Sequence, residues 1–359
     1  MTVDFFRSSL FAWAAANPRP MPWKGEKDPY KIWLSEIILQ QTRVEQGLPY
    51  FEKFVATYPT VLDLAVAPED AVLKLWEGLG YYTRARNLHA AAKHIAQEFG
   101  GVFPTTYEGI RELKGVGDYT AAAIASFAYN LPHAVLDGNV YRVLSRYFAI
   151  ETPTDLPAAK KEFAALADSM LDKAQPAAFN QALMDFGALC CTPAQPGCRN
   201  CPMQPNCQAA RENRVAAFPV RAKKMEKKAR FFLYVVVEQG ADTYLRKRAG
   251  KDIWRGLYEY PMLEVESANG LAPEAILSRF YPVGLPNGAV FGKISPHFKQ
   301  ILTHQLVLAA FLELHLPVET KPDFFDNELF KSSFNTAIND VKKKFAFPRV
   351  VLRFLEKNV

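Results

Sequence analysis

The sequence predicts a mainly α protein: an all-α region reaching to about residue 210, then an α+β domain. Turn signals at Tyr58-Pro59, Ala67-Pro68, Gly100-Gly101, Phe103-Pro104 and Leu131-Pro132 divide the first part into runs of helical period. Alanine-rich tracts within it, 89–96 and 120–128, have high helix propensity, and no convincing strand precedes residue 210. Later, the run FFLYVVVEQGADTYLRKR is aromatic, β-branched and broken by a glycine turn, which predicts a hairpin.

The elements follow in order. The opening stretch MTVDFFRSSLFAWAAA sets Phe6 and Leu10 at helical spacing and carries Asp4 and Arg7 where a secretory leader would be purely basic. It reads as an amphipathic helix, and the expected location is the cytoplasm. No apolar run approaches the ~20 residues of a membrane span, so no membrane partner is expected. The segment FPVRAKKMEKKAR, within 211–230, is basic with little to bury and reads as a linker or an arm extended on a surface. Strand-like pieces follow at 257–261, 289–292 and 301–316, with helices near 273–280 and at the C-terminus. A length of 359 residues suits two or three domains, and a net charge of +6 tolerates a polyanion without requiring one.

All five cysteines lie in one tract, which excludes a secreted disulfide framework. Cys191, Cys198, Cys201 and Cys207 are separated by six, two and five residues. Thiolates this dense inside a cell usually bind metal; the alternative is a buried thiol group with no metal. Zinc knuckles tend to come as two distant C-x-x-C pairs. One C-x-x-C flanked by single cysteines on a proline-rich winding loop suits a compact iron–sulfur cubane better. Cys190 is left over and is expected to be an ordinary buried residue.

Two further features carry chemistry. In LKGVGDYTAAAI, a helix runs into Gly115-Val116-Gly117 and another starts near Tyr119. Glycines at such a junction let backbone N–H groups face a phosphate, although a plain helix cap and turn reads the same way. Downstream, HAVLDGNVYRVLSR places Asp137 before a helix, where Asp137 or Asn139 caps it and the helix end favours an ionised carboxylate. Separately, Glu36 lies in the helical run YKIWLSEIILQQT with Ile32, Trp33, Leu39 and Gln40 three and four residues away. No basic residue occupies those positions, so the charge has no partner on its own helix. It is either a solvated residue or a buried acid holding a proton near neutrality, as a general acid requires.

Together these motifs resemble the endonuclease III-like helix-hairpin-helix superfamily, and within it the adenine DNA glycosylases with a Nudix-like C-terminal domain. LSEIILQQT resembles that branch's signature, and C-x6-C-x2-C-x5-C its iron–sulfur loop. The resemblance covers nearly the whole chain. It implies a two-lobed glycosylase region over 1–210, with a six-helix-barrel lobe inserted at about 24–131, a helix-hairpin-helix at 107–124 and a [4Fe–4S] loop at 191–207. A linker at 211–230 and a Nudix-like domain at 231–359 that reads oxidised guanine would complete it. It implies a monomer that flips adenine from duplex DNA paired with 8-oxoguanine or guanine, in a bacterial cytoplasm. Contacts to a sliding clamp or other repair proteins stay open.

The same resemblance assigns roles. Glu36 would protonate adenine N7, and Asp137 would stabilise the sugar cation. Tyr119 would lie beside the aspartate and Asn139 would position water. Trp23, Lys24, Gln41 and Gln181 would surround the flipped base, with Lys24 standing where most relatives carry arginine. Gly115 and Gly117 would hold phosphate. Tyr81, within GLGYYTRARNL, would wedge the base stack. Thr303 and His304 would contact the oxidised guanine, Leu302 replacing a phenylalanine. Relatives that also cut the strand carry a lysine at the position of Tyr119, and some have one where Tyr141 stands, so excision without strand scission is expected. The C-terminal domain lacks the acidic R-E-x-x-E-E run of a pyrophosphatase. The competing readings are a pyrimidine-specific glycosylase/lyase, which Tyr119 and the extra domain oppose, and a non-catalytic DNA-binding or redox-sensing module, which leaves Glu36 and Asp137 unexplained.

Overall fold

The computed structural model describes residues 3–222, 226–267, 273–281, 285 and 287–358. The chain divides into two compact units: Met1–Val66 with Asn87–Lys224, and Ala67–Arg86 with Met225–Val359.

The helices up to residue 211 are α1 (Val3–Ala16), α2 (Pro29–Leu39), α3 (Val44–Thr57), α4 (Val61–Val66), α5 (Glu69–Leu75), α6 (Thr83–Phe99), α7 (Tyr107–Glu112), α8 (Asp118–Tyr129), α9 (Gly138–Phe148), α10 (Pro157–Met170), α11 (Pro176–Leu189) and α12 (Gln208–Arg211). Of these, α5 belongs to the second unit and α6 begins there. No strand occurs before residue 211 among the described residues, as the composition indicates.

In the first unit α2 starts on Asp28, whose carboxylate accepts the Tyr30 N–H, with Pro29 pre-set for the first turn. It is buried from Ile32 through Ile38 on every side. Such a helix takes its stability from packing rather than from an amphipathic stripe. Alanines on α8, buried from Thr120 to Ser126, let it lie close. A second core joins Phe6 of α1 with Leu144 and Tyr147 of α9, Phe163 of α10, and Phe179 and Phe186 of α11. Each such side chain contributes about 1.5–3 kcal/mol by leaving water.

The second unit is built on an eight-stranded mixed sheet. Its strands are β1 (Lys228–Gln239), β2 (Asp242–Lys247), β3 (Tyr258–Glu259), β4 (Met262–Val265), β5 (Val290–Ile294), β6 (Phe298–Ile301), β7 (Gln305–Leu316) and β8 (Ser333–Ala337). The path is β3-β2-β1-β7-β5, with β4 on β1, β6 on β7 and β8 on β2. β1 and β7 are parallel; the other pairs are antiparallel. Phe232, Tyr234 and Phe311 face a core with Phe354 of α15 (Arg349–Asn358), while Leu233, Val235 and Leu312 face Ile276 of α13 (Pro273–Phe280). A strand buried on both faces must be apolar at every position, which explains the unbroken FFLYVVV run. A short helix, α14 (Val341–Lys344), precedes α15.

The predicted β1–β2 hairpin is present, with the turn at Gly240 and register Gln239↔Asp242. Three sequence expectations need correction. The strand expected at 257–261 is only β3, Tyr258–Glu259, and β4 begins after Pro261, which lacks the N–H to continue a ladder. The long piece 301–316 is the end of β6, a tight turn and β7; Leu302 N–H donates to Gln305 O at 2.8 Å across that turn. β8, which pairs with β2, was not expected from the sequence.

Within the basic stretch 218–230, the first residues lie against the first unit, and Lys228, Ala229 and Arg230 begin β1. Phe218 is buried, Arg146 Nε donates to its carbonyl at 3.1 Å, and Val220 O accepts Thr154 N–H. Lys223, Lys224 and Met225 of the basic stretch lie outside the described residues.

Residues Ala67–Arg86 pack within the second unit. Asp70 pairs with Lys247 and accepts the Tyr258 hydroxyl at 2.8 Å. Lys74 Nζ donates to Lys342 O and Phe345 O, and Tyr82 OH to Phe347 O. Nothing in the local sequence signals this long-range docking.

Candidate active site

Glu36 and Asp137 meet. Both line a cavity of about 660 Å³ and a neighbouring one of about 1140 Å³, and Tyr119 stands with them in each. Glu36 reaches this place because α2 is central: only 7 % of the residue is exposed. Tyr119, in the first turn of α8, donates its hydroxyl to Glu36 Oε2 at 2.5 Å. Burial pushes the Glu36 carboxyl up to about 7; the Tyr119 hydrogen bond opposes this and the Asp137 charge adds to it. The buried reading of Glu36 therefore holds, and the solvated one does not.

Asp137 caps α9. Its Oδ1 accepts Val140 N–H at 2.7 Å, and its Oδ2 accepts Asn139 Nδ2 at 2.5 Å. Asp137 rather than Asn139 is thus the cap. The cap alone does not keep the carboxyl at its ordinary value. Burial raises it, against the two donors and Arg142. Two sequestered carboxyls at one cavity hold a proton more readily than either alone.

Tyr119 is expected beside the aspartate but hydrogen-bonds the glutamate. Asn139, expected to position water, donates to Asp137 and accepts Arg142 Nη2 at 2.8 Å through its own oxygen. Arg142 also donates to Cys191 O and Gly187 O, so α9 ties the aspartate's support to the cysteine tract. Arg142 is absent from the sequence reading. Its signal was faint: an arginine four residues past a helix start, within an otherwise buried helix face.

The hairpin between α7 and α8 has the expected form. Gly115 has φ +82°, and a Cβ there would meet Asn87 Cβ at 2.6 Å, so only glycine fits. Gly117 is the N-cap of α8 with nothing within 4 Å of a Cβ position, which leaves the helix start open.

Residues 34–167 match the HhH-GPD superfamily of base excision DNA repair proteins. The adenine DNA glycosylase of Buchnera aphidicola (subspecies Baizongia pistaciae) is 38 % identical over 264 residues, spanning 72 % of this chain and 74 % of its own. The human adenine DNA glycosylase is 32 % identical over 379 residues, 89 % of this chain and 69 % of its own. The chain belongs to the adenine DNA glycosylase family. Solved structures agree in fold. A thermostable thymine-DNA glycosylase superposes with TM-score 0.55 at 30 % identity, over 58 % of this chain and 97 % of that one. A trapped endonuclease III–DNA covalent intermediate gives 0.52 at 20 %, over 59 % and 99 %.

In this adenine DNA glycosylase family member the remaining residues singled out in the sequence lie as follows. Trp23, Lys24 and Gln181 line the first cavity with Glu36. Trp23 is buried edge-on against Phe51 at 5.2 Å. Lys24 Nζ is 2.6 Å from Asp185 Oδ2, and Arg19 is 3.4 Å from Oδ1. Asp185 is a wall residue the sequence reading missed. Its signal was the one that exposed Glu36: an acid in an apolar helix, four positions from Gln181. Gln41 sits just past α2 at φ +56° and lines the second cavity, with Gly115 and Gly117. Tyr81 and Thr303 come together in the second unit, the Tyr81 hydroxyl 3.1 Å from Thr303 Oγ1. Tyr81 is half exposed, at φ +49°. Thr303 and His304 are exposed in the β6–β7 turn, so His304 is not the half-buried strand residue that was its alternative.

The cysteines gather at one apolar cavity lined by Val143, Tyr147 and Phe186. Arg146 Nη1 lies 3.4 Å from Cys191 Sγ, and Cys207 Sγ approaches Arg146 O at 3.4 Å. An all-sulfur donor set beside a buried guanidinium suits an anionic iron–sulfur group. Among the described residues, no three His, Cys, Asp or Glu side chains form a group suited to a single metal ion. Cys190 needs correction: it is only half buried, hydrogen-bonds with Cys201 and lines the same cavity. It caps the C-terminus of α11 and, half buried, packs against the core of α1, α9, α10 and α11 beside the other cysteines.

Proposed function

We propose that this chain flips adenine out of duplex DNA, where it faces 8-oxoguanine or guanine, and hydrolyses its glycosidic bond. The product is an abasic site in an unbroken strand. The observation that supports this best is the shared cavity: a carboxyl poised near pH 7 faces a second, donor-held carboxyl across Tyr119.

Glu36 carries the proton and delivers it to N7 of the leaving base, which departs neutral. The sugar develops positive charge, and Asp137, fixed by Val140 N–H and Asn139, stabilises that charge. Water then adds to the sugar carbon and its proton leaves through the carboxyl pair. Trp23, Lys24, Gln41 and Gln181 hold the flipped base. Gly115 and Gly117 position the strand through phosphate. No lysine amine stands at Tyr119 or Tyr141, so no Schiff base forms and the strand is left intact.

Selection between adenine and the other bases must come partly from the opposite strand, because adenine itself is undamaged. Thr303 and His304 of the second unit supply that contact, within residues 231–359, and Tyr81 wedges the base stack. Cys191, Cys198, Cys201 and Cys207 would hold a [4Fe–4S] cluster, which supplies structural cross-linking of the loop rather than a step in base removal.

The test is a labelled duplex with adenine opposite 8-oxoguanine, scored before and after alkali. Breaks that appear only after alkali support hydrolytic excision. Breaks before alkali indicate a lyase, and bound but intact DNA a non-catalytic module.

A further inference from the structure

Asp118 is the first residue of α8, next to Gly117, where the hairpin opens its backbone N–H groups. Its carboxylate is not idle. Arg111 Nε lies 2.5 Å from Oδ1, Lys160 Nζ pairs with Oδ2, and Tyr107 hydrogen-bonds to it. Arg111 comes from α7 and Lys160 from α10, so three helices converge on one carboxylate. Arg111 and Lys160 are 58 % and 65 % exposed, against 34 % for Asp118. Both cations can therefore swing toward solvent, while the carboxylate stays at the helix start.

Exposed ion pairs of this kind add little to stability. Their position is what matters. A phosphate approaching the hairpin meets N–H groups that attract it and a carboxylate that repels it. It also meets two cations already paired. Glu108 and Glu112 line the outer wall of the same cleft, so the local field is less positive than the lysines and arginines suggest.

We propose that Asp118 acts as an internal phosphate surrogate: it occupies Arg111 and Lys160 and so weakens the hairpin's grip on the DNA backbone. The reading rests on the DNA-binding role proposed above. A glycosylase that holds its abasic product too firmly turns over slowly, and a built-in competitor for two cations shortens that hold.

The test compares full-length wild type with Asp118→Asn on an undamaged duplex, across a salt series. Asp118→Asn should bind several-fold more tightly. Two freed phosphate contacts would steepen the slope of log affinity against log salt by up to about 1.8. Adding Lys160→Gln to Asp118→Asn should return the slope about halfway toward wild type. Glu112→Gln, which removes a charge in the same cleft but touches neither cation, should change the slope by less than half as much. Release of abasic product should be slower in Asp118→Asn. The proposal is overturned if Asp118→Asn binds equally or more weakly while melting like wild type, if Lys160→Gln leaves its gain untouched, or if Glu112→Gln matches it. Failure of wild type to bind any duplex would instead remove the DNA-binding role itself.

Discussion

Two buried glutamates, one in each unit, show opposite ways of placing a carboxyl inside a protein. Glu259 on β3 is 1 % exposed, and Arg246 and Arg248 reach it at 3.0 and 2.6 Å. Glu36 on α2 is 7 % exposed, and among the described residues the Tyr119 hydroxyl donates to it. Burial of an ion is costly in both places. In the second unit two guanidiniums offset it, and the result is a structural brace. In the first, a proton offsets it, and the result is an acid with a reactive task. The difference lies in the partners, not in the residue.

The largest effect tests the reactive half of that contrast. Glu36→Gln keeps the shape and removes the transferable proton, and excision should fall about 10²–10⁴-fold in single-turnover assays. Asp137→Asn should fall comparably while leaving DNA binding largely intact. Retention of a substantial rate by either variant would refute the assignment. The pH dependence has a definite sign. Glu36 works protonated, so excision should fall as pH rises through about 7.

The structural half comes next. Glu259→Gln leaves two sequestered guanidiniums without their shared anion, and the fold should lose about 3–5 kcal/mol in urea unfolding. Arg248 also pairs with Asp252, which favours the lower end of that range. Excision per folded molecule should be unchanged. A loss of excision with normal stability would break the comparison.

Stability should move the other way for Glu36→Gln. The folded-state value near 7 lies above the ordinary carboxylate value of 4.5. Between those pH values the native state binds the proton and the unfolded chain has lost it, so stability falls as pH rises through that window. Above pH 7 the penalty is complete, about 3 kcal/mol as an upper figure, and the amide does not incur it. Denaturant midpoints for wild type and variant should therefore diverge from pH 5 to 8. Parallel midpoints would show that Glu36 is not the sequestered acid described here.

What the sequence revealed follows from the range of the interactions. Glu36 was legible because its own helix supplies the apolar neighbours, and Asp137 because a cap is written within three residues. Gly115 was legible because a tight turn needs left-handed backbone. The pairing of Asp185 was not, since Lys24 and Arg19 reach it from more than 160 residues away. Docking of Ala67–Arg86 in the second unit and pairing of β8 with β2 were hidden for the same reason. Cys190 was misjudged because spacing counts residues and cannot tell how completely a helix end is covered.

The smallest predicted effect separates the two contributions to the Glu36 value. Tyr119 is itself pushed well above its ordinary range by burial and by the two carboxyls, so its hydroxyl stays protonated and donates. That donation favours the ionised glutamate, whereas the Asp137 charge disfavours it. Tyr119→Phe removes the donor without changing the ring, so the basic limb of the excision profile should move upward. A hydrogen bond to a charged group is worth roughly 1.5–3 kcal/mol, which sets a ceiling of about one to two pH units. Refilling of the site by water would reduce the shift. Movement of the limb downward would mean that the Tyr119 hydroxyl favours the protonated glutamate rather than its anion.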